Sequence, residues 1–490
     1  MANQPLPNVI LIIMDSARSD CFGCYGSPEG LTPNIDKLAK DSVICQNFYS
    51  AGSQSAVSHA SIFSGQHGTR HGIVHNLSEV KRNIPSIPEI LSRRKGYRAF
   101  GKAKIIQPPV GYEEMFGFEE LVYPNTNSSE KKNVPLKKRI IDQVRKYPKT
   151  WTLIKKAFAS SVGTQALLKQ SAKHFDGKTS LDYLLNCCMN KKEALFLYST
   201  ILHPHTPYCP PKWAIKKVLG DKKINPLAFE IQTDVHAWMN GNYGPATDAL
   251  EDMRKLYKAE LHYGDYLVGQ FLDKLKDEGK FDNSIIIITG DHGEQFGEFG
   301  HLNHGSGVYN GCIRVPCIIK FPYNDKKQNI TKICSHLDIL PTIIKYLDID
   351  LEDEEAQIDG EDMFRKNEDK YVVIDSSPLV LPGRFSHYPN VVEKLSVFWR
   401  SLIDINYKFV WRSDNYTGLF RREELEVEEN NLIKSEKKTA DLMFNKMLDY
   451  YYDINKNFNI NDYPINIGTT AAKLMTSPRI IKELKKEGYL

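Results

Sequence analysis

The run Asn8-Val-Ile-Leu-Ile-Ile-Met14, closed by Asp15, decides the fold. Its unbroken apolar character leaves no polar face for water, so the segment is predicted to be a strand buried on both sides, as in a parallel sheet covered by helices. Two other runs share that character: Ala194-Leu-Phe-Leu-Tyr-Ser-Thr-Ile-Leu202 ends in His203 and His205, and Ser284-Ile-Ile-Ile-Ile-Thr289 ends in Asp291. Three apolar strands that each deliver ionisable residues at their C-terminal ends describe an open α/β sheet, and ligands of such sheets bind in the crevice beyond those ends. Between the strands, Thr32-Pro33 signals a helix start, with Ile35, Leu38 and Ala39 as its apolar stripe.

The 490 residues carry 64 Lys and Arg against 60 Asp and Glu, a net charge of +4. That near-balance argues against a nucleic-acid partner. With 41% hydrophobic and 25% charged residues the chain can bury one large core and a smaller one, which excludes wholesale disorder, collagen and coiled coil. No stretch approaches the roughly 20 apolar residues of a membrane span, and Met1 to Pro7 has neither a basic start nor a signal-type apolar segment. A cytoplasmic location is therefore expected. Nine scattered cysteines do not read as a disulfide framework, and Cys21-x-x-Cys24 lacks a second ligand pair, so buried thiols are expected.

The charge is unevenly spread. From Glu130 to Lys173 there are twelve Lys and Arg against two acids, a net +10 that leaves −6 for the remainder. Leu136, Ile140, Val144, Tyr147, Trp151, Ile154 and Phe158 recur there at three- and four-residue spacing, which predicts basic amphipathic helices. Two readings fit: an inserted lid with solvated lysines, or a surface that docks a polyanionic substrate or makes peripheral contact with an acidic membrane. Beyond about residue 370, short alternating segments (Tyr371 to Asp375, Ser401 to Asp404, Tyr407 to Trp411) predict a small antiparallel sheet, with the acidic loop Leu351 to Asp362 as the boundary and a helical segment, Ser477 to Leu490, closing the chain. The division expected is a catalytic domain over 1–370, with the basic insert at about 121–190, and a C-terminal α+β subdomain over 371–490.

Ser55 to Gly65 has helical character, and a hydroxyl at a helix N-terminus sits in positive potential that favours an alkoxide or a bound anion. His59, four residues on, shares its face. A capping serine is far commoner than a nucleophilic one, so the segment alone is a weak signal. Asp291-His-Gly-Glu294 after a buried strand is stronger, because a carboxylate and an imidazole there can both reach a divalent cation while Gly293 lets the backbone turn. Five of the fourteen histidines (His203, His205, His292, His301 and His304) fall at such strand ends and turns, which favours a site.

In this order the motifs resemble the sulfatases of the alkaline phosphatase superfamily. Asp15-Ser-Ala-Arg-Ser-Asp20, Gly23-Cys-Tyr-Gly26 and Thr32-Pro-Asn-Ile-Asp-Lys-Leu38 are similar to the family's opening, and Ser58-His-Ala-Ser-Ile-Phe-Ser-Gly65 with His71-Gly72 to its signature helix. His203-Pro-His-Thr-Pro-Tyr208, Asp291-His-Gly-Glu294, Ile313-Arg-Val-Pro316 and His336-Leu-Asp-Ile-Leu-Pro341 continue the resemblance, which ends at Glu487-Gly-Tyr-Leu490. It implies an α/β fold: an alkaline phosphatase-like three-layer domain around a mostly parallel sheet, plus a small C-terminal antiparallel-sheet subdomain. It further implies that Asp15, Asp291, His292 and the Ser55 oxygen hold one divalent metal ion (Ca, Mg, Mn or Zn), with room for a second.

By the same resemblance Ser55 is the nucleophile, Lys102 contacts the anionic ester, His205 lies near the leaving group, and His304 stands where sulfatases usually have lysine. Departures accompany the match. Val57 and His59 replace the proline and arginine around the residue that sulfatases convert to formylglycine, and Ser16 replaces a second metal-binding acid. A sulfoserine lacks the hydroxyl that expels sulfate from formylglycine, whereas a phosphoserine can be attacked in line by water. The expected activity is a metal-dependent hydrolase of phosphate or sulfate esters working through a covalent Ser55 intermediate, with His59 and Lys102 on the nonbridging oxygens and His205 or His304 protonating the leaving oxygen. The alternatives are a phospho-group transferase acting on a glycan or lipid headgroup, and a catalytically inactive binding relative.

Overall fold

Strand β1 (Asn8–Met14) lies inside an eight-stranded sheet with every residue from Val9 to Met14 fully buried. The computed structural model describes residues 5–76, 78, 84–103, 116–122, 177–324, 326–351, 357–378, 391, 394–422, 428, 430–456 and 460. The main sheet adds β2 (Val43–Tyr49), β3 (Arg98–Lys102), β4 (Glu120–Val122), β5 (Leu195–Ile201) and β6 (Ser284–Gly290). A short hairpin follows, β7 (Gln295–Phe296) and β8 (Leu302–Asn303), before the chain returns as β9 (Cys317–Lys320) and β10 (Gln328–Ser335). The order across the sheet is β10-β2-β9-β6-β1-β5-β3-β4. All neighbours are parallel except β9, which runs antiparallel to β2 and β6.

Alternation along β1 explains the layers. Ile10, Ile12 and Met14 point to a face covered by helices Pro33–Ala39, Gly177–Asn190 and Thr247–Asp277. Val9, Leu11 and Ile13 point to the opposite face, covered by Ser55–Ser64, Ile87–Lys95 and Ile339–Tyr346. Each such side chain contributes about 1.5–3 kcal/mol by leaving water, so a polar residue at any of these positions opposes both layers.

The second sheet is antiparallel throughout: β11 (Val372–Ser376), β12 (Trp399–Ile403), β13 (Tyr407–Arg412) and β14 (Thr417–Arg421), in that spatial order. One face packs Ile374, Trp399 and Val410 onto Tyr49, Ile313 and Ile333 of the large domain. The other packs Leu402, Phe409 and Leu419 under helix Lys437–Ile454, through Ala440, Met443 and Met447. All nine cysteines are free. No helix among the described residues is long and apolar enough to cross a membrane. The basic segment 130–173 and the helical segment 477–490 fall outside the described residues.

Candidate active site

Adjacent parallel strands set the chemistry. Met14 of β1 is level with Gly290 of β6, so Asp15 and Asp291 emerge side by side one residue past the strand ends. Both are buried, and their carboxylates and His292 offer ligand atoms within 4.8 Å of one another. The His292 Nδ1–H donates to the Gly293 carbonyl oxygen at 2.9 Å, which turns the Nε2 lone pair toward the acids, 3.4 Å from Asp291 Oδ2 and 3.8 Å from Asp15 Oδ1. Gly293 is required for this turn, because a Cβ there would lie 2.0 Å from the Gly311 carbonyl oxygen. Ser16 takes the left-handed conformation at φ 65°. Its N–H donates to Asp291 Oδ1 at 3.1 Å, and Tyr257 donates to its carbonyl oxygen at 2.9 Å, so the two strand ends are tied together.

The two carboxylates of this cluster are held unequally: against burial, which would raise it, His292, His59 and the Ser16 N–H keep Asp291 below the usual carboxylate range. Burial, followed by the charge of Asp291, pushes the Asp15 carboxyl well above the usual carboxylate range. Asp291 Oδ2 is buried with no hydrogen-bond partner among the described residues. An orphaned carboxylate oxygen, a second carboxylate and an unprotonated imidazole nitrogen form a donor set that fits a divalent cation.

Ser55 opens the helix Ser55–Ser64, which Gly65 ends in the left-handed conformation at φ 65°. Its Oγ stands 3.1 Å from His292 Nε2. The start of the helix is clamped from three sides. Gln54 donates through Nε2 to the Gly305 carbonyl oxygen at 3.1 Å and accepts from the Asn76 N–H at 2.9 Å, while Asn76 Oδ1 accepts from the Ala56 N–H at 3.0 Å. On the third side, Gly52 bridges to Asp375 of β11, and the Ser53 and Ser376 hydroxyls are 2.7 Å apart.

His304 stacks on His292 with ring centroids 4.2 Å apart, and His205 lies 4.9 Å from His304. The His304 Nδ1 is 3.1 Å from Glu294 Oε1, whose other oxygen accepts from the Tyr208 hydroxyl at 2.9 Å. Burial, then the positive field of His205, lowers His304 to about 3, and burial raises Glu294 to about 7.

The structure thus gathers Asp15, Ser55, Asp291, His292, His205 and His304. Two candidates are placed otherwise. His59 is fully enclosed beneath the cluster, 3.9 Å from Asp291 Oδ2, and burial lowers it to about 4, so its ring supports the carboxylate and does not reach a nonbridging oxygen at the mouth. Lys102 is level with Ser199, which in turn is level with Ile12, two strands from the cluster and on the opposite face of the sheet from the Ser55 helix. Its Nζ donates to the Thr179 carbonyl oxygen at 3.2 Å and lies over the Tyr183 ring, away from the ester. Glu294, Gln54 and Asn76 were not assigned roles from sequence. Glu294 sits three residues after Asp291 in the quoted motif, a spacing that could have flagged it, whereas Gln54 and Asn76 meet through a loop with no local signature.

The family model described as Sulfatase matches residues 7–349. The arylsulfatase of Clostridium perfringens (strain 13 / Type A) is 24% identical over 376 residues, covering 71% of this chain and 76% of the relative. The choline-sulfatase of Rhizobium meliloti (strain 1021) is 23% identical over 373 residues, covering 72% and 70%. Among solved structures, the phosphonate monoester hydrolase of Agrobacterium radiobacter superposes with a TM-score of 0.68 at 16% identity, covering 91% of this chain and 96% of that one.

Proposed function

The chain belongs to the sulfatase family, and from that premise we propose that it hydrolyses phosphate or sulfate esters through a covalent intermediate on Ser55. The observation that carries this reading is the Ser55 Oγ, held 3.1 Å from His292 Nε2 at a helix N-terminus beside two buried carboxylates.

Asp15, Asp291 and His292 would hold a divalent cation, which when bound offsets the buried negative charge and favours the Ser55 alkoxide over the hydroxyl. The Ser55 oxygen bonds to the phosphorus or sulfur as the ester's bridging P–O or S–O bond breaks, and the helix N-terminus faces the charge that develops on the nonbridging oxygens. Glu294, raised to about 7 by burial, donates its carboxyl proton to His304 Nδ1, which leaves the Nε2–H to pass to the departing alkoxide as the Glu294 proton moves onto Nδ1, and His205 stands beside it as the second candidate. Water then hydrolyses the seryl ester and regenerates Ser55.

The relatives frame the choice of element: arylsulfatase and choline-sulfatase on one side, phosphonate monoester hydrolase on the other. An unmodified serine favours phosphorus, because a seryl phosphate can be attacked directly whereas a seryl sulfate has no hydroxyl to expel it. The test assays aryl sulfate, aryl phosphate monoester and aryl phosphodiester side by side with metal supplied, together with intact mass measurement of the Ser55 peptide. Faster phosphate release and a phosphoryl adduct that disappears in Ser55→Ala are expected. Full activity of Ser55→Ala on every ester would overturn the covalent assignment, and formylglycine at position 55 with fast sulfate release would overturn the preference for phosphorus.

A further inference from the structure

The groups at the centre of the site come from two separate frames. Asp15 follows β1 and Asp291 and His292 follow β6, and those two strands are paired residue by residue from Asn8 and Ser284 to Met14 and Gly290. Ser55 arrives differently. It follows β2 through the segment 50–54, and β2 is separated from β6 by β9. Strand register therefore fixes the two acids and His292 against one another but leaves their distance to the nucleophile open.

Hydrogen bonds leave segment 50–54 at several points. The Ser50 N–H donates to the Ile313 carbonyl oxygen at 2.8 Å, Gln54 reaches Gly305 and Asn76, and Gly52 and Ser53 meet Asp375 and Ser376. None of these partners lies on β1 or β6. One side chain makes that connection. His336 Nδ1 accepts from the Ala51 N–H at 3.2 Å, and its Nε2–H donates to the Gly290 carbonyl oxygen at 2.8 Å. Ala51 is four residues before Ser55, and Gly290 is the residue before Asp291.

A neutral imidazole suits such a bridge, because its rigid ring holds one acceptor and one donor at a fixed separation. The two partners select the Nε2–H tautomer. Protonation would set two N–H groups against each other, and burial lowers His336 to about 3, which keeps the ring neutral. The ring is fully buried and meets Phe48 edge-on with centroids 5.5 Å apart. Its backbone opens the turn His336–Asp338, where the Ser335 N–H donates to Asp338 Oδ2 at 2.7 Å and Lys370 Nζ donates to Asp338 Oδ1 at 2.6 Å. The bridge is thus fastened to a third element that belongs to neither frame.

We infer that His336 is a positioning residue for the reaction at Ser55: through the backbone at Ala51 and Gly290 it sets the separation between the nucleophile and the acids that face it. The inference rests on the covalent Ser55 reading. Without the bridge, β1–β6 pairing would still hold Asp15, Asp291 and His292 together while Ser55 drifts, and a misplacement of about 1 Å costs about 100-fold in rate. Turnover should suffer and metal binding should not.

The experiment uses the full chain and measures kcat and KM on an aryl phosphate monoester or aryl sulfate, whichever the parent cleaves faster. It adds the manganese dissociation constant by calorimetry and, in metal-free protein, hydrogen exchange of the Ala51 amide. His336→Leu should lower kcat about 100-fold, keep KM and the manganese constant within about twofold of the parent, and speed Ala51 exchange by at least about tenfold. His336→Gln, whose amide keeps one acceptor and one donor, should restore kcat to within about fivefold of the parent. Should His336→Leu fail to fold, His336→Asn, which reaches Ala51 but falls short of Gly290, should lower kcat about tenfold. His71→Gln, at a buried histidine bonded to Ile73 and Ser61, should leave kcat unchanged. Parent-like kcat in a folded His336→Leu or His336→Asn would overturn the positioning role, as would an equal loss in His71→Gln or a loss carried by KM alone. A parent that forms no Ser55 adduct would overturn the covalent reading and this inference with it, whereas parent-like kcat beside a normal adduct overturns the positioning role alone.

Discussion

Two buried groups of charge in this chain follow opposite rules. Around Asp338, every charge arrives with its partner: Oδ1 accepts from Lys370 Nζ at 2.6 Å and from the Glu361 N–H at 2.9 Å, and Oδ2 accepts from the Ser335 N–H at 2.7 Å. Burial by itself would lower Lys370, and the charge and hydrogen bond of Asp338 together with the charges of Cys334 and Glu361 more than reverse that. Around Asp15 and Asp291 the acids face each other and neutral imidazoles, and one oxygen has no hydrogen-bond partner among the described residues. Both clusters pay desolvation, but only the second leaves a charge deficit for a ligand to fill. What distinguishes a working site from a structural ion pair here is therefore the missing countercharge, since burial is common to both.

The sharpest break in that contrast is Asp291→Asn. Activity should fall by about 10⁴-fold, equivalent to about 5.5 kcal/mol, while the metal-free protein keeps its thermal midpoint because the amide retains the Oδ1 that accepts from the Ser16 and His292 N–H groups. A drop in midpoint without metal would place Asp291 with the structural pairs. Next comes Lys370→Met, which strands Asp338 as an unpaired buried charge and should cost about 3–5 kcal/mol in urea unfolding. Its midpoint should still rise on metal addition, and loss of that response would join the two clusters energetically. Metal itself, at about 100 times its dissociation constant, should stabilise the parent by about 2.7 kcal/mol, and Asp291→Asn should abolish the shift seen by calorimetry.

The smallest effect is titrational. His71 accepts from the Ile73 N–H at 3.1 Å through Nδ1 and meets Ser61 Oγ at 3.0 Å through Nε2, and burial lowers it to about 3. A histidine whose folded pKa lies below its unfolded value contributes fully above pH 6.5 and loses that contribution as pH falls toward 3. Between pH 6.5 and 5 this amounts to about 2 kcal/mol, so His71→Gln should flatten the acid slope of stability without changing the metal response.

Much of this was legible from short stretches. Val9 to Met14 announced a doubly covered strand because hydrophobicity without alternation has one structural solution, and Asp291-His292 declared itself by following such a strand. Ser55 became convincing only alongside the other motifs. Lys102 was misplaced because one-dimensional spacing does not say which face of β3 a side chain takes, and the pleat sent it toward Thr179. His59 shares a helix face with Ser55, as its spacing required, yet that face runs from the mouth down into the core, and depth is not encoded in periodicity. The small sheet was read correctly as antiparallel, but its double burial depends on Tyr49, Ile313 and Ile333 on the face opposite the helix Lys437–Ile454, and those residues lie far away in sequence.

The clasp between Ser53 and Ser376 spans 323 residues. Closing a loop of that length comes late in folding, since the entropy lost grows with separation while local helices form at once. The backbone that aims the nucleophile is thus completed by a strand synthesised after every strand of the large sheet. A nascent or truncated chain should present the large sheet well before it can turn over an ester, and competence should arrive in one late step.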